Sequence, residues 1–264
     1  MTMIVTTSSN PNPEMLLRVN DISNLLGIHY VKRGKLSIGQ LMEKYAVNEI
    51  IVVEKEHSKL YSKDLKQPFF FHPSMAVLRI NRIKQGDNDL MIKISNLKPG
   101  DTFLDCTLGL ASDSLVASYV VGKEGKIVGI ESQPILAALV KDGLNRGWKD
   151  DQDLNDAMKR IEVVNGNHYE VLSKLPENSF DVVYFDPMFR KGIKSSAAIS
   201  PLRTIANPDP ISYEAVIEAK RVAKKKVILK ENIKSNEFER LGFERVIRSS
   251  STTYGVITMG EEDE

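Results

Sequence analysis

Thr102-Phe-Leu-Asp-Cys106 and Lys126-Ile-Val-Gly-Ile-Glu131 are short apolar runs, each followed by a stretch of helical character. Runs of this length and composition read as strands buried on both faces. Working outward, Ile161-Glu-Val-Val164, Phe180-Asp-Val-Val-Tyr-Phe-Asp186 and Lys226-Val-Ile-Leu-Lys230 repeat the pattern. Helices are predicted between them, over Ser112–Val121, Gln133–Arg146, about Tyr169–Lys174, and Tyr213–Ala223. Phe243–Arg248 and Tyr254–Met259 read as a terminal antiparallel pair. Strands alternating with amphipathic helices predict an α/β fold built on a doubly wound sheet.

The amino-terminal region has another texture. Met3-Ile-Val-Thr-Thr7 reads as a short strand, and about Glu14–Leu26 as a helix with an apolar stripe. Ile28-His-Tyr-Val31 is a further candidate strand, Ser37 can cap a helix through Ala46, and Glu49–Glu54 is a buried strand. We therefore expect a small α/β domain over residues 1–66, a connecting segment over 67–98 and the larger domain over 99–260. In the connecting segment Phe69-Phe-Phe71 is expected to pack, and His72, before Pro73, to be structural.

Composition narrows the class. The chain has 264 residues, 42% apolar and 27% charged, with 36 Lys and Arg against 35 Asp and Glu. Such a balance describes a soluble globular protein of one or two domains. No run approaches the ~18–20 apolar residues of a membrane helix, and no signal peptide is recognisable. The single Cys106 has no internal disulfide partner, and no Cys/His group has zinc spacing. A cytoplasmic protein without a metal or a membrane partner is expected. Charge is unevenly spread, however. Residues 188–250 carry 14 basic against 7 acidic residues, and residues 55–98 carry 9 against 4. Basic segments favour a polyanion only where they converge on one site.

In a doubly wound sheet, ligands lie beyond the carboxyl ends of the strands. Strand one ends in Asp105-Cys-Thr-Leu-Gly109, where a glycine lets the backbone approach a ligand. Strand two ends in Glu131, a carboxylate able to accept from two ribose hydroxyls. Strand three ends in Asn165-Gly-Asn-His168, polar groups suited to an adenine edge, and strand four in Asp186-Pro-Met-Phe189. Together they outline a nucleoside cofactor lying across the sheet. The first loop lacks the full G-x-G-x-x-G, which argues against a dinucleotide pyrophosphate. S-adenosylmethionine, with ribose and adenine but no phosphate, fits better.

Asp186-Pro-Met-Phe189 resembles the [DNS]-P-P-[FYW] motif of methyltransferases acting on exocyclic amines. Such an amine is a poor nucleophile, because its lone pair is delocalised into the ring. The Asp186 carboxylate and the Pro187 carbonyl can accept its two N–H bonds, and Phe189 can stack on the base. These three are the candidate catalytic residues.

Asp105–Asp113, Glu131–Leu144 and Val182–Phe189 together resemble the RsmJ-type rRNA methyltransferases. Ser195, Pro201-Leu-Arg203 and Ala223–Lys230 extend the match, which covers roughly residues 99–231. The resemblance implies a Rossmann-like class I fold and methylation of guanine N2 in small-subunit rRNA, hence a role in rRNA processing. It implies cofactor contacts at Ser112, Asp113, Glu131, Ser132, Asn167, His168 and Asp186, alongside Asp105 and Gly109 read above. The family loop reads G-L-G-R-D, where this chain has Gly109-Leu-Ala-Ser-Asp113.

Ile4-Val-Thr-Thr-Ser8, Tyr30–Ser37 and Ile50–Glu54 are similar to the first half of a Brix-type domain of ribosome-assembly factors. The unit either binds RNA or caps the cofactor. Candidate RNA contacts are Lys32, Arg33 and Lys35 on one turn, with Lys224, Lys225, Lys226 and Lys230 around strand five. Other readings are the same chemistry on tRNA, DNA or a small amine, and a non-catalytic RNA-binding factor with a vestigial cofactor fold.

Overall fold

In the computed structural model, which describes residues 3–148, 151–187, 207, 209–246 and 252–260, the chain builds two sheets. The first has four strands in the order β1-β2-β3-β4: β1 is Met3–Thr7, β2 Glu49–Val53, β3 Ser58–Ser62 and β4 Phe69–Phe70. β1 and β2 are parallel, whereas β3 and β4 add antiparallel. Helix α1 (Pro13–Leu26) starts at Asn12, whose side chain accepts the Met15 N–H, and stops at Gly27 with φ 62°. Helix α2 (Ile38–Lys44) is closed by a reciprocal Ser37–Gln40 capping box.

Two expectations change here. Ile28–Val31 is not a full strand: Tyr30 makes a single bridge to Val5. The sheet also extends past Glu54 into β3 and β4, so its last strand lies in the segment expected to be only a connection. There Phe69 and Phe71 enter the core.

Helices α3 (Ser74–Lys84) and α4 (Leu90–Ser95) lead to a seven-stranded sheet. Its strands are β5 Thr102–Asp105, β6 Lys126–Glu131, β7 Ile161–Asn165, β8 Phe180–Phe185, β9 Ala223–Asn232, β10 Glu244–Val246 and β11 Thr252–Thr258. They lie in the order β10-β11-β9-β8-β5-β6-β7. β5 to β9 run parallel, and β10 and β11 pair antiparallel at one end, as expected. The helices are α5 Ser112–Val121, α6 Pro134–Arg146, α7 Gln152–Lys159, α8 His168–Leu172, α9 Tyr213–Val222 and α10 Glu237–Leu241. From β5 the chain builds outward to β6 and β7, then returns to β8 and β9 on the other side. This reversal opens a crevice at the carboxyl ends of β5, β6 and β8.

Alternation along β8 divides the core between the sheet's faces. Val182 and Tyr184 enter one apolar cluster with Phe103, Leu115 and Ile228. Val183 and Phe185 enter the other with Leu104, Val128 and Val216. The first cluster continues into the amino-terminal unit through Val5, Ile51 and Leu60 of its sheet and Val19 of α1. An ion pair reinforces this seam: Arg18 of α1 grips both carboxylate oxygens of Asp142 on α6 at 2.7 Å, with the two side chains only 9% and 8% exposed. Its remaining donors reach the Glu54 carbonyl (2.8 Å) and Ser58 Oγ (3.1 Å).

Gly143 shows how closely the units approach. A Cβ there would stand 2.3 Å from Phe71 Cδ1 and 2.7 Å from Phe71 Cβ. Gly143→Val should therefore destabilise the chain by about 1–3 kcal/mol through overpacking. A urea midpoint equal to wild type would show that the seam yields.

Candidate active site

The crevice is built from strand ends inward. At the end of β5 the Asp105 carboxyl is buried, accepting the Thr107 N–H (3.0 Å) and the Ser114 hydroxyl (2.7 Å). Burial pushes its pKa up to about 7. Thr107 Oγ1 in turn accepts the Asp186 N–H at 2.6 Å, joining the β5 turn to the end of β8. Gly109 takes φ 51° and donates its N–H to Glu131 Oε2 at 3.0 Å, while Glu131 Oε1 accepts the Gln133 N–H at 2.9 Å. Burial raises the Glu131 pKa above its ordinary value, and these backbone donors oppose the shift.

A cleft opens above this floor. Of the expected residues, Gly109, Glu131, Ser132, His168, Asp186 and Pro187 line it. Asp105, Ser112, Asp113 and Asn167 do not line it: Asp105 and Asp113 are buried, Ser112 is half-buried and Asn167 is exposed. Ser112 opens α5, and Asn167 caps α8 by accepting the Tyr169 N–H at 2.9 Å. The His168 ring meets the edge of Phe185 at 5.7 Å, and burial lowers its pKa, so the imidazole is neutral at neutral pH. Phe189 lies outside the described residues, as do Ser195, Pro201 and Arg203. Thr107, Asn207 and Asp209 also line the cleft and carried no sequence signal.

Asp113 is the centre of a buried charge cluster. One carboxylate oxygen pairs with Arg79 of α3; the other accepts the Tyr184 hydroxyl (2.9 Å) and Lys230 Nζ (3.0 Å). Lys230 also donates to Asp186 Oδ2 at 2.7 Å, and Arg79 forks onto Asp89. Burial alone would raise the Asp113 pKa, but Lys230 and Arg79 outweigh it and hold Asp113 well below the carboxylate range. Asp186 moves the other way: burial and Asp113 raise it, against the pull of Lys230. Burial opposes the charge on Lys230, but Asp113 and Asp186 raise its pKa and keep it protonated.

Two of the expected site residues meet in this cluster. Asp113, expected to contact the cofactor, is buried and bonded to Arg79, Tyr184 and Lys230. Lys230 was expected on RNA, but it is sequestered between two carboxylates and cannot reach a phosphate without stranding them. Its neighbours are also committed. Lys225 Nζ sits between Asp101 (2.7 Å) and Asp181 (3.0 Å), and Lys226 donates to the Ile94 carbonyl (2.7 Å). Lys224 is exposed. Lys32 and Lys35 are exposed on the turn before α2, where Arg33 donates to the Leu36 carbonyl at 3.1 Å. Arg33 and Lys35 line a shallow groove with Ser9, Asn10 and Gln40.

The donor set fits S-adenosylmethionine. Each Glu131 oxygen holds one backbone N–H and keeps a lone pair for a ribose hydroxyl. The turn at Gly109 brings backbone, not a charged side chain, to the cleft. Among the described residues, no group of His, Cys, Asp or Glu is placed to hold a metal ion.

Residues 38–257 match the family described as "Putative SAM-dependent methyltransferase". A Bacillus subtilis relative, "Uncharacterized protein YpiP", is 41% identical over 255 residues, covering 96% of this chain and 98% of its own. Ribosomal RNA small subunit methyltransferase J of Buchnera aphidicola is 32% identical over 148 residues, 54% of this chain and 58% of that protein. The chain thus spans little more than half the length of that enzyme. Among solved structures, a SAM-dependent methyltransferase from Neisseria gonorrhoeae superposes with a TM-score of 0.62 at 18% identity, covering 97% of this chain and 96% of that one. At that identity the likeness concerns the fold. No helix among the described residues is long and apolar enough to cross a membrane.

Proposed function

We propose an RNA amine as the substrate of this chain, which belongs to the family of S-adenosylmethionine-dependent methyltransferases. The family makes it an enzyme with S-adenosylmethionine as cofactor, and its seven-stranded sheet is a Rossmann-like class I methyltransferase fold. We place the acceptor at an exocyclic amine of RNA, guanine N2 of small-subunit rRNA. One observation carries the reading: Asp186 directly follows β8 at the cleft, and its side chain remains 28% exposed. Two others support it. The relatives matched over half the chain are named rRNA small subunit methyltransferases, and the amino-terminal unit, residues 1–66, presents Lys32, Arg33 and Lys35 on one turn.

When bound, the cofactor supplies an electrophilic methyl group on a sulfonium sulfur. Glu131 would hold its ribose hydroxyls, the Gly109 turn its methionine end and His168 the adenine. Asp186 Oδ1 and the Pro187 carbonyl would accept the two N–H bonds of the amine and orient its lone pair for transfer. In that geometry positioning supplies much of the rate. Accepting that methyl group would build positive charge on the amine nitrogen. A carboxylate beside it is therefore worth more in the transition state than in the ground state. Asp186, with its raised pKa, then takes the surplus proton.

Glu131→Ala should weaken S-adenosylmethionine binding by about 1–3 kcal/mol, the value of hydrogen bonds to a charged group. Unchanged affinity in calorimetric titration would remove the ribose role. RNA affinity should fall steeply with salt, and Lys32→Ala/Lys35→Ala should reduce the slope by about 2 if each lysine neutralises one phosphate. An unaltered slope would leave those lysines merely solvated. The proposal as a whole is tested by transfer of labelled methyl from S-adenosylmethionine to unmodified small-subunit rRNA.

A further inference from the structure

We infer that Lys230 is a positioning residue for methyl transfer: its ammonium pins Asp186 Oδ2 at 2.7 Å and leaves Oδ1 as the oxygen that receives the amine. The inference rests on the proposed role of Asp186 and adds the group that sets its orientation and charge. Three observations carry it. Lys230 lies on β9, hydrogen-bonded neighbour of the strand that Asp186 directly follows, so the contact is set by strand pairing and not by a loop. Its Nζ makes a second bond, to Asp113 Oδ2 at 3.0 Å, which fixes its position from the far side. Held at Oδ2, the Asp186 side chain still lines the cleft and stays 28% exposed.

The surroundings explain why a cation is needed there. Asp186 meets Asp113 across Lys230; Tyr184 of β8, Tyr254 of β11 and the buried Asp105 also face the cluster, and Arg79 closes it from α3. Two anions this close cannot both stay ionised in a buried site without a shared counter-charge. Arg79 neutralises Asp113 from one side. Lys230 is the cation that touches both carboxylates. It keeps Asp186 ionised and able to accept, and because its two carboxylate partners outweigh burial and hold its own proton, it does not act as a base.

The sign of the test follows. If transfer needs ionised Asp186, the rate falls as pH drops through the Asp186 pKa. Removing the cation with Lys230→Met raises that pKa, and the acid limb should move to higher pH by about one unit or more. Removing the neighbouring anion with Asp113→Asn should move the limb to lower pH. Lys230→Arg keeps the charge and should restore the wild-type limb. The measurement is single-turnover methyl transfer to rRNA between about pH 5 and 9, with S-adenosylmethionine binding followed in parallel as the index of an intact fold. Opposite displacements in Lys230→Met and Asp113→Asn support the inference. Lower plateaus with an unmoved limb overturn it, and where Lys230→Met fails to bind cofactor the Asp113→Asn limb alone decides. If Asp186→Ala is itself fully active, it is the role of Asp186 that fails, not the coupling to Lys230.

Discussion

Asp186→Ala is expected to leave methyl transfer close to the uncatalysed background, while S-adenosylmethionine still binds. Glu131 and the Gly109 turn are untouched by the change, and Asp186 is held to the β5 turn through its backbone N–H on Thr107, which alanine retains. What is lost is the carboxylate facing the charge that grows on nitrogen. Asp186→Asn separates charge from geometry: it keeps an oxygen acceptor but gives up the negative charge and its bond to Lys230 as an ion pair. A loss of about 10²-fold or more, about 3 kcal/mol of transition-state stabilisation, is expected. In single-turnover transfer, a wild-type rate for Asp186→Ala would remove the amine mechanism.

The second large effect is on stability. Arg18→Ala should cost about 3–5 kcal/mol, because it strands a buried Asp142 carboxylate and removes the donors to the Glu54 carbonyl and Ser58. That is a large share of the ~5–15 kcal/mol that holds a typical domain folded. Arg18→Met/Asp142→Leu, which removes both charges and fills the space, should recover most of the loss. Thermal or urea unfolding measures both. A change below about 1 kcal/mol for Arg18→Ala would mean that water reaches the pair and relieves it. The same seam means that the amino-terminal unit is packed against α6, not tethered beside it, so the charged turn at Lys32–Lys35 has a fixed place relative to the larger sheet.

Much of the methyltransferase sheet was legible in the sequence because a parallel strand buried on both faces is written as an uninterrupted apolar run. Val182-Val-Tyr-Phe185 is such a run, and it lies at the centre of the sheet. Strand-end chemistry was legible for the same reason: Glu131 and Asp186 are the first charges after such runs, and both line the cleft. β3 was not legible, because Ser58-Lys-Leu-Tyr-Ser62 buries only Ser58 and Leu60 and carries a weak apolar signal. Ile28–Val31 failed in the opposite sense: apolar residues were present, but only Tyr30 finds a strand partner, at Val5. The pairings of Lys230 and Asp113 were not legible, because a lysine in sequence looks solvated and a carboxylate after a glycine turn looks available. Their partners lie 44 and 117 residues away for Lys230, and 34 and 71 for Asp113. Such pairings arise from the order of strands in the sheet and have no local signature.

The central claim is that this cleft methylates an exocyclic amine of rRNA, and nucleoside analysis tests it most directly. The purified chain would be incubated with S-adenosylmethionine and unmodified small-subunit rRNA, and the RNA digested and examined by mass spectrometry. N2-methylguanosine should appear with wild-type protein and be absent with Asp186→Ala. Methylation at a ring carbon or a ribose hydroxyl, or N2-methylguanosine formed equally by Asp186→Ala, would contradict it.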